Sequence, residues 1–183
     1  MPSSFTDPAQ REQENEARLC VIGLGNPGKR YASTRHNIGF MVIDRLADAL
    51  GVRESSFYRN YSFAETRHQG RRVILCKPET YMNLSGEAVS LLLAKQRLNL
   101  SEILVVYDEI QLPLGQLRLR KRGSDGGHNG LSSIIENLGS ERFPRLRCGV
   151  DFSSQGVDLA EYVLSPFQKE ELPLAADMIE RAA

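Results

Sequence analysis

LCVIGLGNPGKRYASTRHNIGFMVIDRLADALG, residues 19–51, holds the unit on which the fold turns. Its first five residues, Leu19 to Gly23, form a near-continuous apolar run, as expected for a strand covered on both faces. From Ile38 to Leu50 the period becomes helical: Val42, Leu46 and Leu50 make one stripe joined by Ile43, and Gly51 supplies the C-terminal stop. A buried strand therefore runs through a polar loop into a helix that must cover a sheet, which is an α/β unit.

The same alternation continues along the chain. Val73 to Lys77 and Ile103 to Asp108 read as further central strands, and Leu117 to Lys121 alternates as a half-exposed one. Phe143 to Val150 also alternates, which puts Leu146, Cys148 and Val150 on one face and Arg145 and Arg147 on the other, with the basic residues expected outward. Helices are predicted from about Ser85 to Arg97, from about Leu131 to Leu138 with Gly139 as terminator, and from near Phe167 or Lys169 to the end. TRHQGRR (66–72) has the polar character of a hairpin turn, so His68 is assigned to the surface.

Length and charge bound the rest. At 183 residues the chain suits one domain with a sizeable core, residues 19–183. Residues 1–18 are polar and without periodicity, and are expected to be a flexible tail. Lys plus Arg and Asp plus Glu both total 23, so no overall field steers polyanions to the molecule and any RNA affinity must come from a local patch. Between Gly115 and Arg147 such a patch exists: seven cations stand against three carboxylates. No stretch approaches the length of a membrane span, and residues 1–18 have no secretory h-region, so a cytoplasmic protein is expected. Cys20, Cys76 and Cys148 lack metal-type spacing and fall in or beside apolar runs, as buried reduced thiols do.

In an open α/β sheet, ligands sit beyond the carboxyl ends of the strands. Here those ends carry Asn26 and Pro27, Glu79 to Asn83, Asp108 and Glu109, and the glycine-rich GSDGGHNG (123–130) opening a helix. Gly23, Gly25 and Gly28 spell a literal dinucleotide motif. The helix that should begin inside it starts only near Ile38, and Asp44 lies within that helix instead of ending a second strand, so the dinucleotide reading fails. His36, flanked by Arg35 and Asn37, is expected to be a partly exposed imidazole able to titrate near neutrality. Asp108 ends an apolar run, where a carboxylate needs a partner, and a histidine would serve. Asn83 and Asn129 each have an ordinary explanation as helix N-caps. Neither a zinc-type ligand cluster nor a G-x-S-x-G elbow is visible.

VIGLGNPGKRYASTRHNIGF (21–40), KPETYMNLSG (77–86), YDEIQLPLGQLRLR (107–120) and GGHNGLSSIIENLG (126–139) together resemble the signature segments of bacterial peptidyl-tRNA hydrolases, in order, across about residues 19 to 182. The resemblance implies a single-domain α/β fold, a mixed, largely parallel twisted sheet flanked by helices. It also implies hydrolysis of the ester between a peptide and the 3′ end of tRNA, without a cofactor or metal. His36 is similar to the family's essential histidine, Asp108 to the aspartate supporting it, and Asn26, Asn83 and Asn129 to three site asparagines, Asn26 helping to tell a blocked amino group from a free one. Tyr31 and Tyr81 match substrate-contacting positions. Arg118, Arg120 and Arg147 match basic positions that hold the tRNA backbone. The resemblance further implies a monomer that meets peptidyl-tRNA, including on the ribosome, and a C-terminal helix that ends early at Ala183. A non-catalytic RNA-binding relative of the splicing-factor kind is the alternative.

Overall fold

The computed structural model describes residues 17–152, 156 and 158–183. Seven strands form one sheet: β1 (Arg18–Gly23), β2 (Ser56–Tyr58), β3 (Tyr61–His68), β4 (Arg71–Pro78), β5 (Ile103–Glu109), β6 (Leu117–Arg120) and β7 (Arg145–Gly149), in the order β2-β3-β4-β1-β5-β7-β6. The four central strands, β4-β1-β5-β7, are parallel. The β2-β3-β4 meander and the β6-β7 pair are antiparallel, so the sheet is mixed as expected. Among the described residues five α-helices accompany it: α1 (Ile38–Ala49), α2 (Ser85–Gln96), α3 (Asn129–Leu138), α4 (Leu159–Val163) and α5 (Leu172–Ala182).

Alternation along β1 divides the core between the two faces of the sheet. Cys20 and Ile22 pack with Ile74, Val105 and Tyr107 beneath α2 and α3, through Val89, Leu92, Leu131 and Ile134. Val21 packs with Leu75, Val106 and Cys148 beneath α1 and α5, through Ile38, Val42 and Met178. All three cysteines are buried and free. Burial pushes the Cys148 thiol up to about 12, so it offers no thiolate at neutral pH.

Two glycines, Gly23 at the end of β1 and Gly39 in the first turn of α1, serve packing. A Cβ on Gly39 would lie 2.4 Å from both Leu24 N and Val106 O, and one on Gly23 would lie 2.2 Å from Gly39 O. The N-terminus of α1 thus rests directly on the tips of β1 and β5, which is how the polar turn before α1 comes to lie over the strand ends. Gly39→Ala should lower stability by about 1–3 kcal/mol, because only backbone could give way. Urea unfolding checks this, and an unchanged midpoint contradicts it.

Several expectations need correction. Arg18 is not tail but the first residue of β1, paired with Arg72 and with its guanidinium 2.9 Å from Glu102, while residues 1–16 of the expected tail lie outside the described residues. Strands β2 and β3 and helix α4 were not anticipated, although the turn at TRHQGRR was: Gln69 and Gly70 both have positive φ, as a two-residue hairpin turn requires. The last helix starts at Leu172, later than Phe167 or Lys169, with Pro173 in its first turn, where the missing N–H costs nothing. Arg145 does not point outward into solvent. It is 1% exposed, donates to the carbonyls of Ser124 and Glu141, and lies over the Phe143 ring, which pins the glycine-rich loop to β7.

Candidate active site

The loops beyond the parallel strands enclose a cleft of about 650 Å³. It is lined by Asn26, Tyr31, His36, Tyr81, Asn83, Asp108 and Asn129, so seven of the ten residues singled out in the sequence converge on one place. Arg118, Arg120 and Arg147 stand apart from it, on the β6-β7 pair, with Arg118 directly opposite Arg147. Arg118 and Arg120 are exposed. Arg147 is partly engaged: its Nε lies 3.1 Å from the Tyr107 hydroxyl and 3.1 Å from the buried Glu109 carboxylate.

His36 sits in a short 3-10 turn, Arg35–Asn37, that is held from both sides. The expectation was a partly exposed imidazole; instead His36 is buried, 8% exposed, with its neighbours Arg35 and Asn37 at 2% each. Asn37 fixes the turn to the first loop, accepting from the Asn26 backbone N–H and donating to the Asn26 carbonyl, each at 2.9 Å. The Asn26 side chain in turn accepts the Met82 N–H through Oδ1 at 2.8 Å, which orients its carboxamide and leaves the NH2 group to the cleft that Asn26 lines.

At the cleft floor His36 Nδ1 lies 2.9 and 3.0 Å from the two Asp108 oxygens. A second imidazole, which the sequence did not single out, completes the arrangement: His128 Nε2 is 3.0 Å from Asp108 Oδ1. Protons can be assigned from the partners. His128 Nδ1 accepts the backbone N–H groups of Gly130 and Leu131, which only donate, so its proton is on Nε2 and points at Asp108. The carboxylate only accepts, so His36 carries its proton on Nδ1 and keeps a lone pair on Nε2. Burial alone would raise the Asp108 pKa, but the two imidazoles beside it and their hydrogen bonds outweigh burial and hold the carboxyl well below the usual carboxylate range.

His128 also takes a role given to another residue, since it is His128 and not Asn129 that caps α3. Asn83 caps nothing: it lies within a 3-10 turn, Met82–Leu84, and the position before α2 is Leu84. Asn83 and Asn129 are both exposed in the cleft, free to contact a ligand. Tyr81 is 56% exposed at the rim. Tyr31 also lines the rim, with the Arg30 guanidinium stacked on its ring.

His36, Asp108 and His128 bring three donor groups within 4.8 Å of one another, a cluster that sequence spacing did not reveal. Its hydrogen bonding does not suit a cation. Binding through His128 Nε2 would move the ring proton to Nδ1, against two backbone N–H groups, and His36 Nδ1 is already spent on the same carboxylate. What the arrangement offers instead is a lone pair on His36 Nε2, steered by a carboxylate: a general base for a water molecule.

Comparisons with known proteins identify a family. Residues 20–183 match the family model described as peptidyl-tRNA hydrolase. The chain is 49% identical over 165 residues to the peptidyl-tRNA hydrolase of Aquifex aeolicus, covering 88% of this chain and 84% of that one. With the counterpart from a Sulfurihydrogenibium species identity is 50% over 153 residues, 83% of this chain and 80% of the relative. Among solved structures, the peptidyl-tRNA hydrolase of Acinetobacter baumannii superposes with a TM-score of 0.81 at 32% identity, covering 89% of this chain and 83% of that one.

Proposed function

The chain belongs to the peptidyl-tRNA hydrolase family, and we propose that it cuts the ester between a peptide and the 3′-terminal ribose of tRNA with a water deprotonated by His36. The observation that carries this reading is the chain of hydrogen bonds from His128 through Asp108 to His36 at the floor of the cleft. As water attacks, His36 Nε2 takes its proton, and the imidazolium so formed is stabilised by Asp108. The negative charge developing on the ester oxygen is met by amide donors, for which the oriented Asn26 carboxamide, Asn83 and Asn129 are the candidates. An ester is reactive enough for these devices to suffice.

Tyr31 and Tyr81 offer ring faces at the rim to the terminal nucleotide or the acyl group. Arg118, Arg120 and Arg147 would take backbone phosphates of the acceptor arm, Arg147 with the donors that Glu109 and Tyr107 leave over. Residues 18–183 act as one hydrolase domain in this reading, a monomer serving free and ribosome-associated peptidyl-tRNA in the cytoplasm. Among the described residues no helix is long and apolar enough to cross a membrane. The splicing-factor-like alternative gains nothing from a buried imidazole with an aligned lone pair.

Purified protein should hydrolyse N-acetyl-aminoacyl-tRNA and largely spare the same tRNA carrying a free α-amino group. Release of labelled amino acid from the two esters, side by side, measures this. Equal rates on both contradict the specificity, and no cleavage of either contradicts the reading.

A further inference from the structure

Arg35 is a guanidinium with a side chain only 2% exposed, and none of the chemistry above uses it. Its fork reaches the segment between α4 and α5: Nη1 donates to Ser165 Oγ at 2.7 Å and to the Pro166 carbonyl at 2.5 Å, and Nη2 meets Glu171 at 2.5 Å. Its plane lies over two rings of the same region, Tyr162 at 4.3 Å and Phe167 at 5.2 Å. The backbone repeats the link, with Arg35 N donating to Ser165 O and Thr34 bridged to Pro166. Replacing a buried ion pair by apolar residues is often neutral or stabilising, so stability is a weak reason to keep a cation here, and its Nε is even left without a partner.

What Arg35 holds is one wall of the cleft. Leu159, Val163 and Leu164 line it from α4 and its C-terminus, and Leu159 and Leu164 remain 39% and 41% exposed there, an apolar surface turned to a polar floor. α4 has five residues, too short to be stable alone, and is fastened to β7's end by the Tyr162 hydroxyl, which donates to Val150 O. His36 has independent supports in Asp108 and, through Asn37, in Asn26.

We propose that Arg35 is the positioning residue for this apolar wall, and that the wall is the surface on which the acyl chain beyond the first blocked residue is gripped. The inference rests on the reading of the cleft as a peptidyl-ester site. Loss of the fork then loosens the grip on the peptide without removing the base, so substrate capture suffers and turnover does not.

The test compares kcat and KM on N-acetyl-aminoacyl-tRNA and on the same tRNA carrying an N-acetylated tripeptide with apolar side chains. Arg35→Lys keeps the charge but replaces the planar fork by a single point donor. It should raise KM for the tripeptidyl ester by about tenfold, raise it for the aminoacyl ester by about twofold or less, and leave kcat within about twofold. Should circular dichroism show that this variant does not fold, Glu171→Gln, altered at a partly exposed partner, should give the same pattern at about threefold. A fall in kcat at constant KM, an equal rise in KM for both esters, or unchanged kinetics overturns the inference while leaving the hydrolase reading intact. Wild-type protein that cleaves neither ester overturns the reading and the inference with it.

Discussion

His36→Ala is expected to lower the turnover of N-acetyl-aminoacyl-tRNA by on the order of a hundredfold or more, the usual span for a lost general base, while tRNA affinity persists. Of the three groups clustered at the cleft floor, only this ring keeps a free lone pair that is basic: Asp108 is held acidic between two N–H donors, and His128 is committed at both nitrogens. The alanine variant retains the His128–Asp108 bond and the Asn37–Asn26 pair that brace the turn, so the fold should survive. Arg118 and Arg120, proposed to take backbone phosphates, lie outside the cleft and are untouched. Single-turnover cleavage beside a filter-binding assay separates the two effects, and near-wild-type turnover would reject the mechanism.

Asp108→Asn should cost a comparable amount, about 10²–10⁴ in turnover, for a different reason. An asparagine offers one oxygen and one NH2 group where the carboxylate offers two oxygens to His36 Nδ1 and one to His128 Nε2. With two N–H groups converging, the NH2 side faces a donor, and the His36 ring relieves the conflict by moving its proton to Nε2, where the lone pair is needed. The variant also changes the acid response. Asp108 has a folded pKa below its unfolded value of about 4, so its contribution to stability is complete above that value and is lost as pH falls below it. In that window the wild type should lose about 1.4 kcal/mol per pH unit from this group, a slope that the asparagine variant lacks. Urea midpoints at pH 5 and pH 3 for both proteins check it. Parallel slopes would contradict the assignment.

The central strands and α1 were legible because a strand buried on both faces and a helix with one apolar stripe leave local signatures that need no tertiary knowledge. Asp108 was legible as a carboxylate ending an apolar run, and Asn26 and His36 as polar residues in a loop after a strand. His128 was not, although its glycine-rich loop was: its value comes from a carboxylate twenty residues away and from capping α3 with the nitrogen that the carboxylate does not use. β3 was missed because YSFAETRH mixes charge into an antiparallel strand that is only partly covered. α4 was missed because five residues carry too little period to register. Arg145 misled for a related reason: alternation placed it correctly on the face opposite Cys148, but only the tertiary fold shows that the Ser124 carbonyl of the glycine-rich loop and the Glu141 carbonyl after α3 receive it there.

Everything above depends on where two ring protons sit, and the chain has only three histidines, so ¹⁵N chemical shifts can read them directly. At a pH high enough to keep the imidazoles uncharged, His36 should carry its proton on Nδ1 and His128 on Nε2, with His68 averaging between tautomers as a solvated ring does. A His36 signal showing the proton on Nε2 would contradict the account, because the lone pair would then lie on Nδ1, against Asp108, where it could not receive a proton from water.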